Sequence, residues 1–140
     1  MLQKKYNSSG QKAYQRTDTE DRSLVYRNWL RTIETGGFFL DIDFIKWKNI
    51  DGENIPCAIT ELTRCDSREI QQSYLDAINN RLFIRDKQGD TIKRLGKLLG
   101  VPVYLVLFQK EMLWLWVYSF RKEHWKKFSP EEWAMYLKNL

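Results

Sequence analysis

The chain has 140 residues, of which 43% are hydrophobic and 14% aromatic, and a formal net charge of +5. That length holds one domain with a real core and too little chain for two. Two cysteines and one histidine exclude a Cys/His zinc cluster and a disulfide framework, which points to a reducing, cytoplasmic or other intracellular setting. The polar N-terminus has no apolar secretory core, and the longest apolar run, 112–120, falls well short of the roughly 20 residues of a span, so no membrane partner is expected.

Residues 1–18 carry Lys4, Lys5, Lys12 and Arg16 with no acid before Asp18, and read as a flexible basic arm suited to sequence-independent phosphate contact. Residues 19–140 read as a single α/β domain. Thr17 and Glu20 have capping-box spacing, and Leu24, Val25, Trp29 and Ile33 form a helical stripe, so a first helix is predicted to about Glu34, stopped by Gly36 and Gly37. Glu20 serves as a cap residue.

Residues 37–65 predict a β-hairpin: two apolar arms joined by the turn-forming Asp51-Gly52-Glu53-Asn54. With a loop of 50–54, Asn49 faces Ile55, Trp47 faces Cys57, Ile45 faces Ile59, Asp43 faces Glu61 and Asp41 faces Thr63. Asp43 and Glu61 become cross-strand neighbours, where like charges are destabilising unless a cation sits between them. A hard divalent ion takes carboxylate oxygens of this kind; solvation of an outer sheet face is the plainer account of the same pair. Phe38, Leu40, Ile42 and Phe44 form an apolar face of the first arm.

Ser67 is a good N-cap for a second helix with Ile70, Tyr74, Leu75 and Ile78 inward. Asp90 is expected to cap a third, 91–99, with Ile92, Leu95, Leu98 and Leu99 inward, Lys93, Arg94 and Lys97 outward, and Gly100 ending it. Residues 101–108 predict a strand covered on both faces that pairs parallel to 55–63 through the intervening helices. Residues 113–120 give another aromatic strand, in which Trp114 and Trp116 serve as core rather than as a base-stacking platform. The basic, aromatic run 121–128, with Lys126 and Lys127, suits a nucleic-acid backbone, a connector or a dimer contact, and Ser129 caps a last helix striped by Trp133, Tyr136 and Leu137. His124, far from the acids, is given no role. No phosphate-binding glycine loop, dinucleotide motif or serine or cysteine catalytic signature is present.

The order Asp41-Ile-Asp-Phe-Ile45, a turn, then Ile55-Pro-Cys-Ala-Ile-Thr-Glu-Leu-Thr63 resembles the core hairpin of the PD-(D/E)xK nuclease superfamily, over roughly residues 19–119 by element order. The resemblance implies a restriction-endonuclease-like core, α-β-β-α-α-β-β-α, with a mixed central β-sheet flanked by helices. It further implies a Mg²⁺-dependent DNA endonuclease, with Mn²⁺ a substitute cofactor, in which Asp43 (Asp41 as alternate) and Glu61 hold the metal beside the Leu62 carbonyl. Thr63 stands in the place of the family's lysine, so another residue must supply positive charge: Arg64, Lys46, Lys48 or, favoured, Arg68 on the following helix. Gln71, Gln72 and Tyr74 fall where relatives carry residues that touch water or phosphate, and a helix before the hairpin would bring Glu20 toward the metal. DNA is the expected partner, met by Arg64, Lys93, Arg94, Lys97, Lys126 and Lys127, and a homodimer is left open. The alternative is a catalytically inactive nuclease-fold binding or assembly module.

Overall fold

The computed structural model describes the backbone of residues 3–6 and 12–15 and residues 23–140 in full. Two units make up the chain, 1–39 and 40–140. In the first, β1 (Gln3–Tyr6) and β2 (Lys12–Gln15) pair antiparallel, Gln3 with Gln15 and Tyr6 with Lys12. Lys4, Lys5 and Lys12 of the basic arm thus lie on this ribbon. Helix α1 (Leu24–Leu30) is shorter than predicted and buries no residue, leaving Val25, Tyr26 and Trp29 exposed. Glu20 and the expected capping box lie outside the described residues.

The second unit is a mixed α/β layer structure. Its sheet runs in the order β3 (Phe44–Ile50), β4 (Glu53–Arg64), β5 (Val103–Phe108), β6 (Leu115–Ser119), β7 (His124–Phe128), with β4 and β5 parallel and every other pair antiparallel. The parallel step is made through α2 (Gln72–Asn79), a π-helical turn (Asn80–Arg85) and α3 (Gln88–Leu99), all on one face. There Ile59, Val103, Leu105, Leu107 and Tyr118 pack on Leu75, Ile78, Leu82 and Ile92. On the other face α4 (Pro130–Lys138) seats Trp133 against Ala58, Tyr104, Val106, Val117 and Phe128. Val103 to Leu107 are all buried, as a strand covered on both sides requires. Among the described residues no helix is long and apolar enough to cross a membrane.

Several expectations shift in detail. The hairpin turn is Asp51-Gly52 alone, both at positive φ (52° and 87°), the two-residue geometry that matches strand twist, rather than a loop of 50–54. The register near the turn therefore moves by one: Trp47 faces Pro56, Lys48 faces Ile55 and Asn49 faces Asn54. A bulge between Lys46 and Trp47 restores the predicted phase, and Ile45 faces Ile59. Helix α2 starts at Gln72, not beside Ser67, and Tyr74 is 41% exposed. Asp90 lies within the first turn of α3, where it complements the helix dipole instead of capping it. Leu98 and Leu99 are exposed, while Gly100 ends the helix at φ 70° as expected. Phe38 and Phe44 are exposed; Leu40 and Ile42 pack partly on the core. Of the run 121–128, residues 121–123 turn the chain and 124–128 form the edge strand β7.

Candidate functional site

Hydrogen bonds Ile59 N–H to Pro102 O and Cys65 N–H to Phe108 O show that odd-numbered residues of β4 turn their N–H groups toward β5. Even-numbered residues point theirs toward β3. The β3–β4 ladder, however, stops at Phe44 and Thr60, which leaves the Leu62 N–H without a main-chain acceptor across the gap. The Asp43 carboxylate takes it: Leu62 N–H donates to Asp43 Oδ2 at 2.8 Å. Reciprocally, Asp43 N–H donates to Glu61 Oε1 at 3.1 Å. Two carboxylates thus replace the sheet's own hydrogen bonds where the strands part, and the two side chains also hydrogen-bond each other.

Glu61 shares the helix-covered face of the sheet with Ile59 and is only 5% exposed, while Asp43 sits at the open side. Burial, acting first, and then the charges of Asp43 and Asp41 push the Glu61 carboxyl up from its ordinary 4.5 to about 7; the Asp43 N–H bond opposes this in part. The ion pairs among the described residues are Arg64–Asp66, Arg85–Asp86 and Lys93–Glu123, and none reaches Asp41, Asp43 or Glu61. This is an acid pair held together by geometry, and among the described residues no cation pairs with it. Its donor set, hard carboxylate oxygens from adjacent strands, fits a divalent ion of the Mg²⁺ type. Among the described residues no group of three or more His, Cys, Asp and Glu is arranged to hold a metal, so any ion there would complete its shell with main-chain oxygen and water.

Thr63 follows on the same face as Glu61, half-buried. Arg64 points to the other face and is engaged by Asp66 through a bidentate bond, Nη2 to Oδ2 at 2.8 Å and Nε to Oδ1 at 3.0 Å. Asp66 also accepts from Lys110 N–H at 3.0 Å, which ties the end of β4 to the turn after β5. Arg68 lies exposed between β4 and α2, without an ion pair to the acids. Lys46 contacts Cys57 Sγ at 3.5 Å and Lys48 donates to the Leu140 carbonyl at 2.7 Å, so both hairpin lysines are directed elsewhere. Gln71 precedes α2, Gln72 donates to Asp76, and Tyr74 bonds the Cys65 thiol. Burial alone would raise that thiol, but bonds to Ser67 and Tyr74 bring it below its ordinary value.

The surface cations do not form one patch. On β7 successive side chains alternate, so Lys126 stands over the Phe128 ring at 5.0 Å on the α4 face while Lys127 projects with Trp125 to the other. On α3, Lys93 reaches Glu123 at 3.4 Å and Arg94 is exposed on its own side of the helix. Lys93 and Lys97 instead line a cavity with Arg121, a grouping that chain order hides because α3 and the end of β6 are separated by a strand pair. Trp114 is buried and Trp116 packs against the core, in keeping with a structural role.

No protein-family model, curated protein or solved structure matches this chain.

Proposed function

We propose that the Asp43–Glu61 pair is the metal-holding centre of a Mg²⁺-dependent phosphodiester hydrolase that acts on DNA, with Mn²⁺ as a working substitute, built on a restriction-endonuclease-like core. The observation that carries this reading is the clamped pair itself, two carboxylates locked to each other's main chain at a parting of strands, with no ion-pair partner among the described residues. Like charges on neighbouring strands are destabilising; the proton that burial holds on Glu61 offsets that cost in part, and a divalent ion would offset it when both acids are charged. Asp43 and Glu61 would hold the ion, with the Leu62 carbonyl as a third oxygen. When bound, a divalent ion supplies charge neutralisation at the phosphodiester and a water of lowered pKa.

The protein's own part is positioning. Burial of Glu61 keeps one ligand in a fixed rotamer, and the Leu62 N–H orients the other. The Thr63 hydroxyl, on the same face, can align water or a phosphate oxygen but brings no positive charge. Arg68 is the residue assigned to supply it, from the exposed segment after β4. Lys93, Arg94, Lys97, Lys126 and Lys127 add distributed phosphate contacts rather than one groove.

A second reading, a nuclease-fold binding or assembly module without activity, is favoured by one feature: threonine in place of an ammonium, with Arg64 already committed to Asp66. Mn²⁺ calorimetry and cleavage of supercoiled DNA separate the two. The hydrolase reading expects saturable Mn²⁺ binding that is lost in Asp43→Asn, and nicking that is lost in both Asp43→Asn and Arg68→Gln. Metal binding without cleavage, and no response to Arg68→Gln, supports the module. Cleavage that survives Asp43→Asn refutes both.

A further inference from the structure

We infer that the cavity between the C-terminal turn of α3 and the start of β5 is a binding site for a phosphate monoester carrying a compact organic body. The cavity is about 390 Å³ and is lined by Lys93, Lys97, Arg121 and the apolar wall Pro102, Val103 and Phe120. That volume falls in the range of small-ligand sites and exceeds what an inorganic ion fills. It touches none of Asp41, Asp43, Glu61 or Thr63, so the inference stands whether or not the acid pair is a hydrolase centre.

Charge selects the ligand. Of the three lining cations, Lys93 is shared with Glu123 at 3.4 Å, which leaves the cavity mouth with a net of two positive charges. A phosphate monoester carries about −1.5 to −2 near neutral pH and offers three acceptor oxygens, whereas a backbone phosphodiester carries only one negative charge. The helix dipole explains Lys97, which lies in the last turn of α3, but not Arg121, which comes from the turn between β6 and β7 and has no ion-pair partner among the described residues. Gly96 and Gly100 both line the cavity, and Gly96 lets α3 pack closely on β5, since a Cβ there would meet Val103 Cγ2 at 2.4 Å. Gly100, at φ 70°, turns the chain directly from helix into the cavity wall. The Phe120 N–H bond to Val103 O at 3.1 Å fixes the opposite wall.

The test is calorimetry on the full chain with AMP, adenosine and thymidine dinucleotides with and without a 5′-phosphate. AMP is expected to bind saturably and adenosine not at all at the same concentrations. Lys97→Gln and Arg121→Gln, both at exposed positions, should each weaken AMP roughly tenfold, since each removes a charge-assisted contact. Glu123→Gln should tighten AMP by releasing Lys93. Lys138→Gln, an equal loss of charge on α4, and Asp43→Asn should leave it unchanged. If the 5′-phosphorylated dinucleotide binds more tightly than AMP, the ligand is the phosphorylated end of a strand; if it binds no better than AMP, the ligand is a free nucleotide. Equal binding of the two dinucleotides, adenosine binding as well as AMP, or a Lys138→Gln effect as large as that of Arg121→Gln overturns the inference.

Discussion

Replacing Glu61 with Gln removes one charge from the acid pair and keeps an oxygen to accept the Asp43 N–H. Because burial first, and the neighbouring Asp43 and Asp41 charges after it, hold the Glu61 carboxyl at about 7 rather than 4.5, the folded protein keeps a proton there that the unfolded chain releases. The sign follows from linkage: the contribution of this group to stability is fully present below about pH 4.5, declines as pH rises, and is lost above about 7. The shift corresponds to on the order of 3 kcal/mol at most. Urea denaturation in chelator-treated buffer from pH 4.5 to 8 should show wild type losing stability relative to Glu61→Gln, with the variant the more stable at pH 8. Mn²⁺ at 100 times Kd should narrow that gap by about 2.7 kcal/mol, and at 1,000 times Kd, where binding adds about 4.1 kcal/mol to wild type alone, it should reverse the order. Parallel stability profiles for the two proteins, or a variant that is less stable at pH 8 without metal, would refute the reasoning.

Trp133→Ala empties the contact between α4 and the sheet, where the ring stacks on Tyr136 at 5.3 Å and meets Tyr104 edge-on at 5.5 Å; denaturant unfolding should show a loss of about 3–5 kcal/mol. Gly52→Ala meets no atom within 4 Å, yet φ 87° strains any side chain there, so a cost of roughly 1 kcal/mol should appear as a lower melting temperature with no change in near-ultraviolet spectrum. Ser129→Ala breaks one half of the capping box, in which Glu132 N–H donates to Ser129 Oγ and Ser129 N–H to Glu132 Oε1; about 1 kcal/mol should be lost in chemical denaturation.

How far the sequence could be read depended on which signal was unopposed. Strand 103–108 and the parallel step onto β4 were legible because an uninterrupted apolar run after an amphipathic helix has few other uses. The last helix was legible because Ser129-Pro-Glu-Glu specifies a start in detail. β7 was not, since lysines at an edge strand mask the alternation of Trp125, Lys127 and Phe128 and read as a solvated connector. Ser67 offered a cap that the chain does not use: Asp66 is drawn instead to Arg64 and Lys110 N–H, and the chain passes through a bend at Arg68 and Glu69 before α2 starts at Gln72. The exposed Leu98 and Leu99 were misplaced because the buried face of α3 runs through Gly89, Ile92 and Gly96, and glycines carry no apolar signal. The grouping of Lys93, Lys97 and Arg121 needs the crossover geometry itself.

The acid pair depends on a compromise between two local demands that periodicity alone could not resolve. Asp51-Gly52 imposes a two-residue turn, and that turn imposes a register in which Trp47 faces Pro56. Carried unshifted along the strands, the same register would set Asp43 opposite Thr60 and Ile42 opposite Glu61, which places the two carboxylates on opposite faces of the sheet. The core makes the contrary demand, because Ile45 and Ile59 must share the face that meets α2 and α3. The bulge between Lys46 and Trp47 satisfies both by leaving Cys57 as the extra residue of β4. It falls where β4 has a neighbour on one side only, since pairing with β5 begins at Ile59, so the added residue and the missing N–H of Pro56 disturb no second ladder. Beyond the bulge the hydrophobic phase sets Asp43 across from Glu61, and the pair then closes on itself through Leu62 and Asp43 N–H groups. The contact between the two acids is therefore a consequence of core packing; among the described residues no cation pairs with it, and the proton held on Glu61 or a bound divalent ion would offset the charge that the packing brings together.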